Sequence, residues 1–351
     1  MIFSAYDRLE VIAPNFKRRL SGVTSTIMQL IPAQAQMGLG IATLGPGLPS
    51  DLPKLRYRDL WRLWKRPKTS KYRIWHARRN LEMLVGIIMR DLLRMPLKLV
   101  FTSAAQRGHT DYTKLLIDRM DHVIATSEKS GRFLGVPHDV IYHGVDTNRF
   151  VPPTCKTDVK ASLGLDPSKK VIGCTGRIRP SKGTDIFVDA MVSLLPENPN
   201  WIAVITGRTT SEHVTFKEQL ETQIASSGLQ DRIRFVGEVE EILHWYQAFD
   251  LFVAPSRNEG FGLTPLEAMA CGVPCVTSDA GVYPDIIRQG KTGYVVAPFA
   301  AEALTQRINS LINTPDLLEQ MGALAGQTTS EKFPLETEAI NLIECYRKIS
   351  E

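Results

Sequence analysis

The chain has 351 residues, of which 43% are hydrophobic and 23% charged, a length and balance that favour a globular protein of two domains. It contains no apolar run of about 18 residues and no signal-peptide pattern, so we expect neither a membrane span nor secretion. The five cysteines are an odd number, and no second pair of ligands completes a zinc site with Cys271 and Cys275. Free thiols and a cytosolic location are therefore expected.

The net charge of +5 is distributed unevenly along the chain. Residues 1–150 hold 24 Lys and Arg against 12 Asp and Glu, whereas the remaining residues hold 18 against 25. Residues 54–98 alone contain 14 basic and 3 acidic residues, interleaved with the aromatic residues Trp61, Trp64, Tyr72 and Trp75. Basic side chains beside indole rings are typical of the membrane–water interface, so an anionic membrane surface is the expected partner of residues 54–98. An ordinary solvated basic face is the alternative.

The first half of the sequence alternates between helical and strand patterns. We predict helices at 23–36, 81–93 and 110–120. Strands are predicted at 41–44, 97–102, 122–126 and 140–142. Such alternation is typical of a parallel α/β sheet.

A second alternating series follows a linker rich in proline and polar residues at 147–168. Its predicted strands are 171–175, 201–206, 233–236, 251–254, 274–277 and 294–296, with helices between them and two more at the end. The predicted fold class is α/β, with two doubly wound, Rossmann-like domains at 1–150 and 151–332. A C-terminal helix at about 333–351 is expected to pack back on the first domain.

The segment after the strand at 251–254 has the pattern of a phosphate-binding loop. It begins with Glu259, and its glycines allow the backbone to approach a ligand closely. The helix that follows would direct backbone amides at a diphosphate, namely those of Gly262, Leu263 and Thr264. Glu267 has two interpretations, a capping box with Thr264 or a carboxylate that accepts two ribose hydroxyls.

The residues EGFGLTPLEAMACGVPCVTSDAG, which begin at Glu259, resemble the E-x7-E signature of the glycosyltransferase 4 family. That family has the GT-B fold, two Rossmann-like domains facing a deep cleft. The resemblance implies that Glu267 holds the ribose of a nucleotide-sugar donor and that Glu259 contacts hydroxyls of the transferred sugar. It also implies that the residues between them bind the donor, including Phe261, Gly262, Leu263 and Thr264.

Two further segments of the second half agree with the resemblance. Residues 176–183, GRIRPSKG, match the G-R-x-x-x-x-K-G element of the family, which implies that Arg177 and Lys182 neutralise the donor diphosphate. The sequence has no Asp-x-Asp pair to hold Mg²⁺, so we expect no metal and no cofactor. Glu238 lies in the segment that lines the base pocket in the family, and a carboxylate there slightly favours guanine over uracil.

The first half supplies weaker assignments. Residues 21–24 resemble the family's glycine-rich loop, which implies that Gly22 lies beside the donor and the acceptor. Three basic residues at 17–19 precede it and suit an acidic acceptor sugar. Many members have a catalytic histidine after the fourth strand, but this chain has none there. His109 is the expected substitute and His76 the next candidate, although a lone histidine is often structural.

The resemblance implies a retaining, metal-independent hexosyltransferase, similar to bacterial lipopolysaccharide core mannosyltransferases. The expected donor is GDP-mannose, and the expected acceptor is an acidic, Kdo-containing glycolipid. The expected location is the cytoplasmic face of the inner membrane, with peripheral attachment. A UDP-sugar-dependent hexosyltransferase of the same family and a GT-B sugar-nucleotide epimerase are the alternatives. No nucleic-acid partner is expected, because such a partner would leave the phosphate-binding segments unexplained.

Overall fold

A computed structural model describes residues 5–17, 22–297 and 299–351. It divides into two compact units, Met1–Gly144 with Leu335–Glu351 and Val145–Pro334. The boundary differs from the expected residue 150 because the segment after Gly144 packs in the second unit. There Phe150 is buried against Tyr246, with ring centroids 6.0 Å apart.

The first unit is built on a parallel sheet of strands β1 to β6. The strands are β1 Val11–Pro14, β2 Ile41–Leu44, β3 Arg73–Ala77, β4 Leu97–Ser103, β5 His122–Ala125 and β6 Asp139–Val140. Their order in the sheet is β2-β1-β3-β4-β5-β6, and every pairing is parallel. Strands β1, β2 and β3 are buried at every position, as expected of a parallel sheet covered on both faces.

Helices cover this sheet on both sides. They are α1 Gly22–Gln36, α2 Asn80–Ile87, α3 Asp111–Ile117 and α4 Glu128–Gly131, with a π-helical turn Ile88–Leu92 directly after α2 and a 3₁₀ helix Tyr57–Trp64. The C-terminal helix Leu335–Ser350 returns to this unit and packs against α1. Its Glu338 is buried and accepts hydrogen bonds from His143 Nδ1 at 2.7 Å and from the Gly144 amide at 2.8 Å.

The second unit repeats the same design. Its strands are β7 Lys170–Thr175, β8 Trp201–Thr206, β9 Ile233–Gly237, β10 Leu251–Ala254, β11 Cys275–Ser278 and β12 Gly293–Val296, in the order β12-β11-β10-β7-β8-β9. Its helices are α5 Lys156–Ser162, α6 Thr184–Leu194, α7 Val214–Ser226, α8 Leu243–Ala248, α9 Leu263–Ala270, α10 Tyr283–Ile286, α11 Ala301–Ile312 and α12 Pro315–Lys332. None of the helices in the described ranges is both long and apolar enough to cross a membrane.

Strand β3 corrects one sequence-based expectation. Its residues were grouped with the membrane-facing segment 54–98, but Trp75 is completely buried and donates a hydrogen bond to the Glu82 carbonyl at 2.8 Å. Arg73 is buried as well, and its guanidinium donates to the backbone carbonyls of Leu9 and Tyr6. The density of basic residues concealed this strand, because Arg73 is a structural cation and not a surface charge.

A buried ion cluster anchors the amino end of the second sheet. Asp250, immediately before β10, accepts hydrogen bonds from Lys160 Nζ at 2.7 Å and from the Val171 amide at 2.9 Å. Lys156 Nζ lies 3.3 Å from the same carboxylate. Burial raises the pKa of Asp250, but the lysines outweigh burial and hold that pKa below its ordinary value. The carboxylate is therefore ionised and paired in the interior.

Replacing Asp250 with Ala should destabilise the protein by about 3–5 kcal/mol, because the buried Lys160 ammonium would lose its partner. Urea denaturation followed by circular dichroism measures the loss. The matched control is Glu221→Ala, which breaks the exposed pair with Lys217 and should cost less than about 1 kcal/mol. Equal losses in the two variants would contradict the structural role of the cluster.

Candidate active site

The two phosphate-type motifs of the second unit follow neighbouring strands. Strand β7 runs into residues 176–183, and β10 runs into the loop that contains Glu259. The two strands pair in parallel, with Leu251 opposite Ile172. Both motifs therefore leave the same edge of the sheet, at the carboxyl ends of the strands, where open α/β sheets bind their ligands.

An ion pair joins the two motifs. Lys182 Nζ contacts Glu259 Oε2, and both side chains are largely buried. Glu259 Oε1 also accepts from the Gly260 amide at 3.1 Å, while the Tyr283 hydroxyl lies 3.5 Å from Oε2. The structure thus places Lys182 and Glu259, separated by 77 residues in sequence, at one point.

Two glycines make this close approach possible. Gly183 has φ +70°, and a Cβ there would lie 2.0 Å from the Pro255 carbonyl oxygen. Gly262 has φ +93°, and a Cβ there would lie 2.4 Å from the Tyr283 ring. A side chain at position 183 would push the first motif away from the end of β10, and a side chain at position 262 would collide with Tyr283.

The start of helix α9 contradicts one of the two interpretations of Glu267, the capping box with Thr264. The helix begins at Leu263, and Gly262 is its N-cap without a side-chain capping bond. Thr264 is the second helical residue and therefore cannot be the cap of a capping box with Glu267. The reason is the left-handed conformation of Gly262, which turns the chain into the helix before Thr264 is reached.

Glu267 is instead held by an aromatic hydroxyl. Its Oε2 accepts a hydrogen bond from the Tyr246 hydroxyl at 2.7 Å. Tyr246 is fully buried among aromatic rings, in edge contact with Phe249 and Phe252. Burial raises the pKa of the Glu267 carboxyl, although the Tyr246 hydroxyl and, more weakly, Arg149 act in the opposite direction. Glu267 as a whole residue is only partly buried.

The remaining candidate donor-binding residues of the second unit differ in how deeply they are buried. Arg177 follows β7 and lines a small recess together with Lys182 and Tyr283. Glu238 follows the edge strand β9, where it is exposed and 3.9 Å from Arg208. Phe261 is buried, and its backbone carbonyl accepts from the Val282 amide at 3.0 Å. The Phe261 side chain therefore packs in the interior.

The first unit has its own cavity, of about 520 Å³, at the carboxyl ends of β3 and β4. Its lining includes the side chains of Lys17, Arg78, Arg79 and His109, together with one acidic side chain, that of Glu82. Arg79 Nη1 donates to Asn15 Oδ1 at 2.7 Å and to the buried Glu82 at 2.9 Å, so the guanidinium is held in place. A cavity with this lining suits an anionic ligand.

The two candidate histidines occupy different environments. His109 lines the cavity, with Nε2 3.4 Å from Ser103 Oγ. Partial burial, with smaller contributions from nearby cations, lowers the pKa of His109, so it is neutral at pH 7. His76 is buried, and its two ring nitrogens bond to the Tyr346 hydroxyl at 2.5 Å and to Thr102 Oγ1 at 2.6 Å. His76 therefore joins the C-terminal helix to the sheet.

The glycine-rich loop of the first unit is only partly described. Gly22 is the first residue of α1, and a Cβ there would meet no atom within 4 Å. The fold of this unit does not itself require glycine at that position. The other parts of that expectation, residues 18–21, lie outside the described residues.

Two further features lie away from the motifs. The larger cavity of the second unit, about 830 Å³, is lined by Lys170 and Trp201 at the amino ends of β7 and β8. In the first unit, within the described ranges, His122, Asp139 and Cys345 bring candidate metal-ligand atoms within 4.8 Å of one another. Neither feature touches Lys182 or Glu259, so neither belongs to the site formed by the two motifs.

Sequence reasoning missed two residues that support the glutamates. Tyr283 follows the carboxyl end of β11, and the rule that ligands bind at strand ends could have indicated it. Tyr246 lies in the short helix α8, where no motif or periodicity distinguishes it from a core aromatic residue. Only the tertiary structure brings its hydroxyl to Glu267.

Replacing Tyr246 with Phe should leave the Glu267 carboxylate without its donor and raise the pKa of Glu267 further. The pKa of Glu267 in the folded protein is already above its value in the unfolded chain. The folding stability that depends on protonated Glu267 is therefore fully present at low pH and is lost as the pH rises through the folded pKa. We therefore expect a destabilisation of about 1–3 kcal/mol that is larger at pH 8 than at pH 5. Urea denaturation at both pH values measures it.

The double variant Tyr246→Phe, Glu267→Gln is the control for this experiment, because the glutamine has no charge to titrate. It should show no such difference between the two pH values. A Tyr246→Phe variant with the same loss at both pH values would show that its cost is one of packing alone.

The chain resembles known proteins over nearly its whole length. Residues 156–327 match the family described as glycosyl transferases group 1. The chain is 56% identical over 341 residues to the lipopolysaccharide core biosynthesis mannosyltransferase LpcC of Rhizobium leguminosarum bv. viciae, covering 97% of each protein. It is 52% identical over 343 residues to the corresponding enzyme LpsB of Rhizobium meliloti, covering 97% of this chain and 98% of that protein.

Among solved structures, HepE of Anabaena in complex with UDP superposes with a TM-score of 0.83 at 21% identity, covering 96% of this chain and 99% of that one. At that identity the likeness concerns the fold, which is GT-B-like, with two units that each contain a Rossmann-like parallel sheet. The sequence identity to the two enzymes above decides the family. The chain belongs to the glycosyl transferases group 1 family.

Proposed function

We propose that this glycosyltransferase moves mannose from GDP-mannose to a Kdo-containing lipopolysaccharide core acceptor at the cytoplasmic face of the inner membrane. The names of the two relatives that share more than half of its residues support the sugar and the acceptor class. The observation on which the proposal rests is the contact of Lys182 with Glu259, because it unites a phosphate-binding cation and a sugar-binding carboxylate.

The donor lies, in this proposal, at the carboxyl ends of β7 and β10. Glu267, oriented by Tyr246, accepts the ribose hydroxyls. The amides of Leu263 and Thr264, at the start of α9, bind the diphosphate together with Arg177 and Lys182. Phe261 and Gly262 shape this loop, and Glu238 contributes to the base pocket.

Catalysis then depends on charge stabilisation. The nucleoside diphosphate gains negative charge as its bond to the sugar breaks, and Arg177 and Lys182 neutralise that charge without a metal ion or other cofactor. Because Lys182 contacts Glu259, a diphosphate that binds Lys182 competes with this contact and leaves Glu259 available to the sugar hydroxyls. Transfer proceeds with retention, and a donor phosphate oxygen takes the proton of the acceptor hydroxyl.

The acceptor binds in the cavity of the first unit. Kdo is an acidic sugar, and Arg78 and Arg79 offer the planar guanidinium groups that pair well with carboxylates. His109 lies in the same lining and, because its lowered pKa keeps it neutral, can accept a hydrogen bond from an acceptor hydroxyl. Gly22, at the start of α1 in the same unit, leaves room for a ligand beside the helix.

A direct assay tests this function. Purified protein with GDP-mannose and Kdo-lipid A should form a mannosylated lipid of retained anomeric configuration, detected by mass spectrometry and NMR. EDTA should leave the rate unchanged, and UDP-glucose should not replace the donor. Turnover of GDP-mannose without an acceptor would indicate an epimerase or hydrolase instead, and a faster reaction with a UDP-sugar would reject GDP-mannose.

Variants of the two glutamates should separate their roles. Glu267→Ala should weaken GDP binding about 10- to 100-fold, because hydrogen bonds to a charged group contribute about 1.5–3 kcal/mol each. Glu259→Ala should lower kcat by about 100-fold, on the scale of a lost charge-stabilising contact. Its GDP affinity should remain, because Lys182 stays available to the diphosphate.

Calorimetric titration with GDP and initial-rate kinetics distinguish the two effects. Glu221→Ala, at the exposed ion pair with Lys217 outside the motifs, is the matched control and should behave as the wild type. Wild-type values in both active-site variants would reject the assignment of the two glutamates.

A further inference from the structure

An exposed apolar face extends along the first unit. The 3₁₀ helix Tyr57–Trp64 exposes Trp61 by 61% and Trp64 by 50%, although tryptophan is usually well buried. The π-helical turn after α2 exposes Leu92 by 74%, together with part of Leu93. Monomeric proteins rarely expose several large apolar side chains in one region, and such regions mark contact surfaces.

Local contacts hold these residues in one surface. Trp64 Nε1 donates a hydrogen bond to the Leu93 carbonyl at 2.7 Å, which ties the 3₁₀ helix to the end of the π-helical turn. With three residues per turn, a 3₁₀ helix places Arg58, Trp61 and Trp64 along one edge. We define Trp61, Trp64, Leu92 and Leu93 as the docking face.

The docking face is surrounded by basic groups. Arg58, Lys65 and Arg66 are exposed on the 3₁₀ helix or directly after it. The Arg62 guanidinium lies 5.3 Å from the centroid of the Trp61 ring, a cation–π distance. Lys65 is partly neutralised by Asp7 at 3.6 Å, so the arginines contribute most of the charge.

The apolar surface continues from the docking face to the cavity of the first unit. Leu81 lies at the start of α2 and Ile88 directly follows its end, seven residues later, and both are exposed. Leu81 also lines the cavity that contains Arg78 and Arg79. Eleven residues separate Leu81 from Leu92, a rise of roughly 16 Å in a helix. An apolar path therefore leads from the docking face to the mouth of the basic cavity.

We propose that the docking face inserts into an anionic bilayer and that α2 guides the sugar head of a membrane-embedded acceptor toward the basic cavity. Indole rings with adjacent arginines suit the headgroup region, and the leucines reach the acyl boundary. The positive charge around the face selects an anionic lipid surface over a neutral one. This inference rests on the proposed function for the nature of the acceptor, but membrane binding itself does not.

Vesicle flotation without any acceptor lipid tests the docking face. The wild type should bind vesicles of phosphatidylglycerol and phosphatidylethanolamine, and bind phosphatidylcholine vesicles weakly. The double variant Trp61→Ala, Leu92→Ser should have an affinity for the anionic vesicles that is lower by about tenfold or more, because two inserted apolar side chains are lost. The double variant Arg58→Glu, Arg66→Glu should weaken binding to a similar extent. Added salt should weaken the binding of the wild type in the same way.

The matched control is Val214→Ser, which removes an exposed apolar side chain from the second unit and should bind vesicles as the wild type does. Wild-type vesicle binding by the Trp61→Ala, Leu92→Ser variant would overturn the inference. The inference would also be overturned if the wild type were a dimer in gel filtration and this variant a monomer. The docking face would then contact a second copy of the chain. Unchanged circular dichroism and GDP binding confirm that each variant is folded.

Kinetics separate this inference from the proposed function. The Trp61→Ala, Leu92→Ser variant should show a KM at least tenfold higher for Kdo-lipid A in vesicles, with an unchanged KM for the deacylated, water-soluble acceptor. If the wild type transfers sugar to neither acceptor, the proposed function is rejected, and the result of the vesicle-binding experiment still stands. Equal effects on the two acceptors would reject the role of the docking face in acceptor delivery.

Discussion

The contact between Lys182 and Glu259 is the interaction on which the candidate active site depends. The two residues come from motifs on β7 and β10, and the sheet order makes those strands neighbours although much of the unit's sequence separates them. Gly183 lets the first motif approach the backbone at Pro255, where any side chain would collide. The parallel fold thus converts two distant sequence motifs into one charged pair at the carboxyl ends of the strands.

The two glutamates differ because their surroundings differ. Glu259 contacts the Lys182 ammonium, whereas Glu267 accepts a hydrogen bond from Tyr246 in a region where burial raises the pKa of its carboxyl. One carboxylate is therefore held by a charged partner, and the other is held by a buried hydroxyl. A shared residue type serves two roles through packing alone.

The sequence supported prediction where the chemistry is local. The spacing from Glu259 to Glu267 and the segment of Arg177 and Lys182 are contiguous patterns, so the motifs could be placed correctly on strand ends. Strand β3 could not be recognised, because Arg73 reads as a surface charge until backbone carbonyls are seen around it. The capping box failed because the left-handed Gly262 starts α9 before Thr264. Tyr246 is supplied by tertiary structure and has no local signal.

The structure also explains why the first half of the chain contains so many basic residues. Its positive charge serves three environments: Arg73 is buried and bonded to backbone, Arg79 is held at a cavity by Asn15 and Glu82, and Arg66 remains exposed. Only the third kind responds to salt, because buried and bonded cations are shielded from mobile ions. A net charge taken from composition therefore overstates the charge that a binding partner would meet, and the proposed docking face would depend on the few arginines around Trp61.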